Sequence, residues 1–344
     1  SIEYELNDLE IGGEILLFKQ NNKQDLQNAM DDSKLSSNSS QTDRILKAYI
    51  QNSSKLSPRD VLSYGLDCDH SVSNNTYSGV WSNEKSDDSF YSQQYEYNLD
   101  LFAEWSHIIS NRGRFSIALK AEYSQSIMDE AQIRTTLWKG FDFYPSFSLT
   151  YSVNKKDFLQ LSLNTDKTYP SYWQTTPGRT YMSPYCVTEG NPQLLPYMTY
   201  HFNGNYIINR RYVIGLFGES NPCYSTQLLY QDPEELIARY RYYNLKNNDK
   251  IGLLAVIPFS LGSWNNNITI NSFYMRQRGE FESEEFNRNA IGGRAAMTSN
   301  FYFNKNKNLS AQLSGWYQLP MIQGIYDVKS MANVSTSITW EPPK

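Results

Sequence analysis

Gln94-Tyr95-Glu96-Tyr97-Asn98-Leu99-Asp100-Leu101-Phe102-Ala103-Glu104-Trp105 is the stretch that decides the fold. Tyr95, Tyr97, Leu99, Leu101, Ala103 and Trp105 take every second position, with Gln94, Glu96, Asn98, Asp100 and Glu104 between them. A strand turns successive side chains to opposite faces, so one face is apolar and the other polar. After a turn around Asn111 and Gly113 the pattern resumes as Phe115, Ile117, Leu119, Ala121 and Tyr123, interleaved with Ser116, Lys120 and Glu122. Two such runs across a short turn predict a β-hairpin.

The cadence continues to Trp340. Phe147, Leu149 and Tyr151 turn at residues 154–157 into Leu159, Leu161 and Leu163, and Tyr200, Phe202, Tyr206 and Ile208 turn at Asn209-Arg210-Arg211 into Tyr212, Ile214 and Leu216. Residues 251–260 turn through Gly262-Ser263 into Ile268 and Ile270, and residues 295–303 turn through 304–308 into Leu309, Ala311 and Leu313. A further pair at 225–231 and 236–246, joined by Gln231-Asp232-Pro233-Glu234-Glu235, brings the expectation to about thirteen strands from Tyr91 onward. The joints near residues 111, 155, 210, 264 and 306 are short, whereas 129–142, 165–196 and 277–290 read as long. Short turns on one rim and long loops on the other are the pattern of bacterial outer-membrane barrels.

Residues 1–90 are less regular. Candidate strands are Ile2–Asp8, Gly13–Gln20, Ile45–Gln51 and Val61–Val72. The Asn/Gln/Ser-rich stretches 21–43 and 73–89 read either as long outer loops or as disorder, because they offer little apolar area to offset ordering entropy. Helix is expected only at Lys23–Asp32.

With 344 residues, 40% hydrophobic, and a mean hydropathy of −0.60, the chain looks hydrophilic and holds no helical membrane span. A barrel reconciles this, since only one face of each strand meets lipid. The 27 Tyr, 16 Phe and 7 Trp suit aromatic girdles at two membrane interfaces. A net charge of −5 without a basic stripe excludes a nucleic-acid binder. Cys68, Cys186 and Cys223 form no CxxC motif. Cys186 and Cys223 fall in expected loops and could pair in an oxidising compartment; separate thiols are the alternative. No signal peptide precedes Ser1, so the chain reads as mature, trimmed or a fragment. A soluble sandwich, solenoid or propeller also alternates, but runs such as 92–109 exceed the usual strand of about 5–6 residues, and no repeat period appears.

Tyr144-Pro145-Ser146-Phe147-Ser148-Leu149-Thr150-Tyr151, then Tyr169-Pro170-Ser171-Tyr172-Trp173, then Gly190-Asn191-Pro192-Gln193-Leu194-Leu195-Pro196, resembles the TonB-dependent receptor barrels of Bacteroidetes. That family shows a PSxSLxY strand, an RxPSYxxLxP loop and a GNPxLxP segment in this order. Ala118-Leu119-Lys120-Ala121-Glu122-Tyr123 is similar to its GLRxEY strand. The basic residue usual before the first proline is replaced by Tyr169, and nothing resembles the family's plug domain or TonB box. The resemblance implies an all-β, antiparallel up-and-down transmembrane β-barrel (a meander), part of a 22-stranded barrel. The count here, near seventeen, is odd and would not close a typical bacterial barrel. A barrel fragment whose plug lies elsewhere in the parent chain is therefore the favoured expectation, over a plugless relative. One outer-membrane β-barrel domain is expected over residues 1–344. The partners implied are outer-membrane lipid, TonB through a plug domain absent from this sequence, a surface lipoprotein, and a small-molecule or oligosaccharide substrate.

Catalytic groups are thin: His70, His107 and His201 are the three histidines. Asp67-Cys68-Asp69-His70 contains metal-ligand types, but adjacent strand positions face opposite ways, so one site would need a loop conformation. No enzyme activity, cofactor or metal is expected. The ligand-contact candidates lie in the 166–189 loop. Tyr169, Tyr172, Trp173, Tyr181 and Tyr185 supply flat faces for sugars or other ring ligands, and Arg179 suits an anionic group. The competing reading is that these aromatics, with Pro170, Pro177 and Pro184, form the loop's own small core. Three functions follow: the barrel of a TonB-dependent importer in the outer membrane, a plugless structural or adhesion barrel, or a soluble β-rich binding module.

Overall fold

Leu99 stands opposite Tyr123, and Leu101 opposite Ala121, in an antiparallel ladder. Directly opposed residues share a face, so the apolar sets of the two runs merge into one surface. The structure, a computed structural model, describes residues 2–6, 8–27, 32–82, 89–176, 178–183, 185–231, 237–304, 306 and 308–341.

In chain order the elements are β1 (Ile2–Leu6), β2 (Leu9–Gln27), β3 (Lys34–Ser57), β4 (Asp60–Trp81), β5 (Phe90–Ser110), β6 (Gly113–Glu130), β7 (Ile133–Ser152) and β8 (Phe158–Thr168). A single helical turn, α1 (Tyr172–Thr175), precedes β9 (Arg179–Ser183) and β10 (Cys186–Glu189). Then come β11 (Tyr197–Ile208), β12 (Tyr212–Pro222), β13 (Ser225–Gln231), β14 (Ala238–Asn244), β15 (Asn247–Leu261), β16 (Trp264–Phe281) and β17 (Glu284–Tyr302). The chain ends through β18 (Leu309–Gln318), β19 (Met321–Gln323), β20 (Tyr326–Val328) and β21 (Met331–Trp340).

Among the described residues, fifteen strands form one sheet in the order β1 to β8, β11, β12, β15 to β18, β21. Each is antiparallel to its neighbour, which makes a meander. Its edge strands are β1 and β21. The joints at 58–59, 111–112, 153–157, 209–211, 262–263 and 303–308 all fall on one rim. The long excursions, 169–196, 223–246 and 319–330, all leave from the other. This is the rim asymmetry expected from the sequence.

The sheet is apolar outside and polar inside. Leu101 is 59% exposed, Leu253 62% and Ile291 70%, whereas Ser73, Asn75 and Ser124 are fully buried. Water would drive the reverse arrangement. A hydrocarbon solvent explains it, since apolar side chains lose nothing there and the strands between the two edges pair their backbone groups with neighbours on both sides. At the short-turn rim Trp105 packs edge-on to Phe115 at 5.2 Å and points its indole N–H at Asp60, 3.1 Å away. A ring with an apolar body and a wet polar end belongs at a bilayer interface.

Several sequence expectations are corrected. Residues 129–142 and 277–290 are no long loops: β6–β7 and β16–β17 continue upward and close in two-residue turns at Ala131-Gln132 and Glu282-Ser283. These four residues have φ of 46°, 66°, 49° and 68°, the left-handed pair that matches strand twist. Likewise 21–27, 34–43 and 73–81 are strand, with β3 24 residues long and β4 22. Crossing the hydrocarbon takes only about 9–11 tilted residues. Beyond it both faces meet polar surroundings, so alternation lapses while strand pairing goes on. The helix expected at Lys23–Asp32 is strand through Gln27, and 28–31 lie outside the described residues. The pair near 225–231 and 236–246 does form, as β13 and β14, but not in the wall. Its joint, 232–236, lies outside the described residues.

Candidate functional site

The three excursions fold back over the mouth of the sheet. β13, β14, β10 and β9 make a four-stranded sheet in that order, in which β10 and β14 run parallel. β19 and β20 form a small hairpin whose Gln323 side chain donates to the Gln227 carbonyl at 3.2 Å. Three loops distant in sequence thus build one cap.

Its keystone is Gly190-Asn191-Pro192. Asn191 is buried, donates its amide to the Tyr242 carbonyl at 2.8 Å, and accepts the Gln193 N–H at 3.0 Å. At Gly190 a Cβ would lie 1.8 Å from the Thr176 carbonyl oxygen, so only glycine permits that approach. Leu194, fully buried, anchors the exit toward β11. The motif that carries the family resemblance is therefore the junction of the first two loops.

The cap is tied to the lumenal wall by hydroxyl groups. Tyr169 donates to the Glu122 carboxylate, which also accepts Tyr144 at 2.5 Å and Lys120 at 2.8 Å. Lys167 reaches Asp142 at 2.6 Å and Ser124 at 3.0 Å. Tyr172 bonds Ser71 at 2.9 Å and Glu96 at 3.3 Å, and burial holds its phenol above the ordinary tyrosine range, which keeps it a neutral donor. On the other side the Gly324 N–H meets Gln277 at 2.7 Å, and Gln277 in turn donates to Asn248 at 3.0 Å.

The six residues singled out from the sequence therefore separate. Tyr169 and Tyr172 face the wall. Trp173 meets Phe90 edge-on at 6.2 Å. Tyr181 is buried with Leu35 and Val187. Arg179 forms a charge contact with Glu189 at 2.8 Å, and Arg239 approaches the same carboxylate at 3.7 Å. Tyr185 is 45% exposed at the outer surface. Pro177 and Pro184 lie outside the described residues.

A cleft of about 350 Å³ opens between this cap and the wall. Gln20, Asn22 and Ser39 line it from β2 and β3, and Thr180 and Thr188 from β9 and β10. Phe90 and Trp173 add two aromatic rings to the lining. The sequence signalled Trp173 but not the amides and hydroxyls, because uncharged polar residues in a polar stretch carry no pattern.

Elsewhere, Asp67-Cys68-Asp69-His70 lies on β4, so the loop conformation that a metal site would need is not adopted. His70 stacks on Tyr97 at 4.5 Å. Cys68, Cys186 and Cys223 are free thiols.

The sequence pattern of the "Outer membrane protein beta-barrel family" matches residues 5–342. The chain belongs to this family. As a member of this outer-membrane barrel family it resides in the cell outer membrane. Its fold is similar to the "Copper transporter OprC", with a TM-score of 0.63 and 11% identity over 95% of this chain and 54% of that one. The ferric yersiniabactin uptake receptor FyuA from Yersinia pestis aligns with a TM-score of 0.58 and 10% identity, over 98% of this chain and 52% of that one. The FrpB iron transporter from Neisseria meningitidis gives 0.57 and 10%, over 98% and 64%. This barrel-family chain thus spans between half and two thirds of the length of these solved relatives. They are transporters and an uptake receptor. No curated protein matches the sequence.

Proposed function

We propose that this chain forms the barrel wall and outer mouth of a TonB-dependent importer that takes a small nutrient across the outer membrane. The single observation that carries the reading is the polar lumen roofed by the chain's own long loops, on a wall that superimposes along nearly its whole length on transport receptors. The ordered series Tyr144 to Tyr151, Tyr169 to Trp173 and Gly190 to Pro196 supports the Bacteroidetes branch of such receptors.

Substrate would meet the cap first, where Trp173 and the exposed Tyr185 offer ring faces. Tyr169 and Tyr172, bonded to Glu122 and Ser71, would hold the cap while a plug in the parent protein gates the lumen through TonB. A surface lipoprotein would share the outer rim. The exposed apolar band disfavours a soluble module, because contiguous apolar surface of that extent is not left in water.

Growth of a strain deleted for the gene, on single carbon and iron sources, tests this. Loss of growth on at least one source, restored by the intact gene and abolished again by an uncoupler, is expected. Unchanged growth and uptake across the panel would remove the import reading.

A further inference from the structure

Among the described residues, the lining of the cleft at the mouth carries no charged side chain. This is a consequence of strand geometry. Thr180 pairs with Thr188, and Arg179 with Glu189, in the antiparallel β9–β10 ladder. Successive residues face opposite ways, so Thr180 and Thr188 share the face that lines the cleft, while the Arg179–Glu189 pair shares the opposite face with Tyr181 and Val187, which pack on Leu35. On the wall, Asn22 stands opposite Ser39, and Gln20 opposite Gln41, which places amide and hydroxyl groups together on the lumenal face.

Most of these polar groups are uncommitted; the Thr188 hydroxyl donates only to the weak acceptor Met182 Sδ, at 3.4 Å. Among the described residues the side chains of Gln20, Asn22, Ser39 and Thr180 make no hydrogen bond to protein. Amides and hydroxyls both donate and accept, as the hydroxyls of a polyol do. The rings of Phe90 and Trp173 add apolar surface to the lining, and rings present flat surface to the C–H faces of a sugar. A copper or iron ion would instead seek imidazole, thioether, thiolate or carboxylate ligands, and an anionic chelate would seek arginine or lysine. Among the described residues, the lining offers neither set.

We propose that the cleft binds a neutral saccharide of one or two rings. Its size fits, since 350 Å³ sits at the small end of the roughly 300–1,000 Å³ of ligand pockets. The assignment deepens the importer reading by naming a ligand class, and it rests on that reading only for the direction in which ligand moves.

Saturation-transfer NMR on the full chain in an amine-oxide detergent, which has no sugar headgroup, tests it. Cellobiose is the neutral probe; glucuronate and ferric citrate are the charged ones. Cellobiose should give a saturable signal and bind more tightly than either charged probe. Trp173→Ala should weaken it about tenfold. Thr188→Val, which keeps shape and removes one hydroxyl, should weaken it about fivefold. Arg134→Gln, on the outer β6–β7 hairpin, should leave it unchanged. Absence of saturable cellobiose binding, tighter binding of a charged probe, or indifference to both cleft variants would overturn the proposal. Because binding is read in micelles, a negative result leaves import itself standing, and a failed growth screen leaves the cleft standing.

Discussion

The hydroxyl of Thr175, in the cap, donates to the side-chain oxygen of Gln94, on the wall, at 3.1 Å, and both residues are buried. The same hydroxyl lies 3.1 Å from the Tyr172 carbonyl, so it closes α1 and fastens it to β5 at once. Thr175→Val keeps the shape and removes the donor. A cost of about 1–3 kcal/mol is expected for a buried group left unpaired. Hydrogen exchange should quicken over residues 171–176 and stay slow in the middle of β5; unchanged exchange at the cap would show the bond to be idle.

Gly190→Ala tests the junction of the first two cap loops. Its Cβ would collide with backbone, the Thr176 carbonyl, and not with a side chain that can swing away. Overpacking of this kind costs about 1–3 kcal/mol or more. The cap should become cleavable by protease between 171 and 196 while the wall remains resistant. Resistance equal to that of the wild type would mean that the approach at Gly190 is not needed.

The turn at Ala131-Gln132 holds two side-chain-bearing residues at positive φ. Relief of that strain by Gln132→Gly should stabilise the hairpin by about 1 kcal/mol. Gln132→Val should do the opposite. Denaturant midpoints of the two variants, measured in one detergent, check the sign.

Asp60 accepts hydrogen bonds from Ser57 at 2.5 Å and His107 at 2.7 Å, and these hold its carboxyl below the ordinary aspartate range. A carboxyl lowered on folding adds order above its ordinary pKa and loses it as pH falls through the lowered value. Exchange of the 57–60 amides should therefore rise in mild acid below pH about 4. In Asp60→Asn that rise should be absent; if it persists, another group is responsible.

How far the sequence reaches depends on the solvent around each segment. Between Tyr95 and Trp105 lipid lies on one side and a polar lumen on the other, so alternation is forced and the strand was readable. In 34–43 both sides are polar, and Asn38, Ser39 and Ser40 carry no pattern although they are paired in register with Ser78, Tyr77 and Thr76. β13 and β14 show strand character, but nothing local tells that Leu228 is buried in a cap and not turned to lipid. The 166–189 loop was found through its aromatic residues. Their division between wall, cap and cleft depends on partners such as Glu122 and Ser71, about 50 to 100 residues away.

The arginine tolerance of two exposed apolar residues tests the membrane orientation most directly. Leu101 is 59% exposed in the middle of the apolar band, and Ile133 is 68% exposed on the hairpin that rises above it. In vesicles, Leu101→Arg is expected to cost about 2–4 kcal/mol, as arginine does near the bilayer midplane, and Ile133→Arg within about 1 kcal/mol. Equal, small costs at the two positions would mean that Leu101 faces water, and would contradict the membrane barrel.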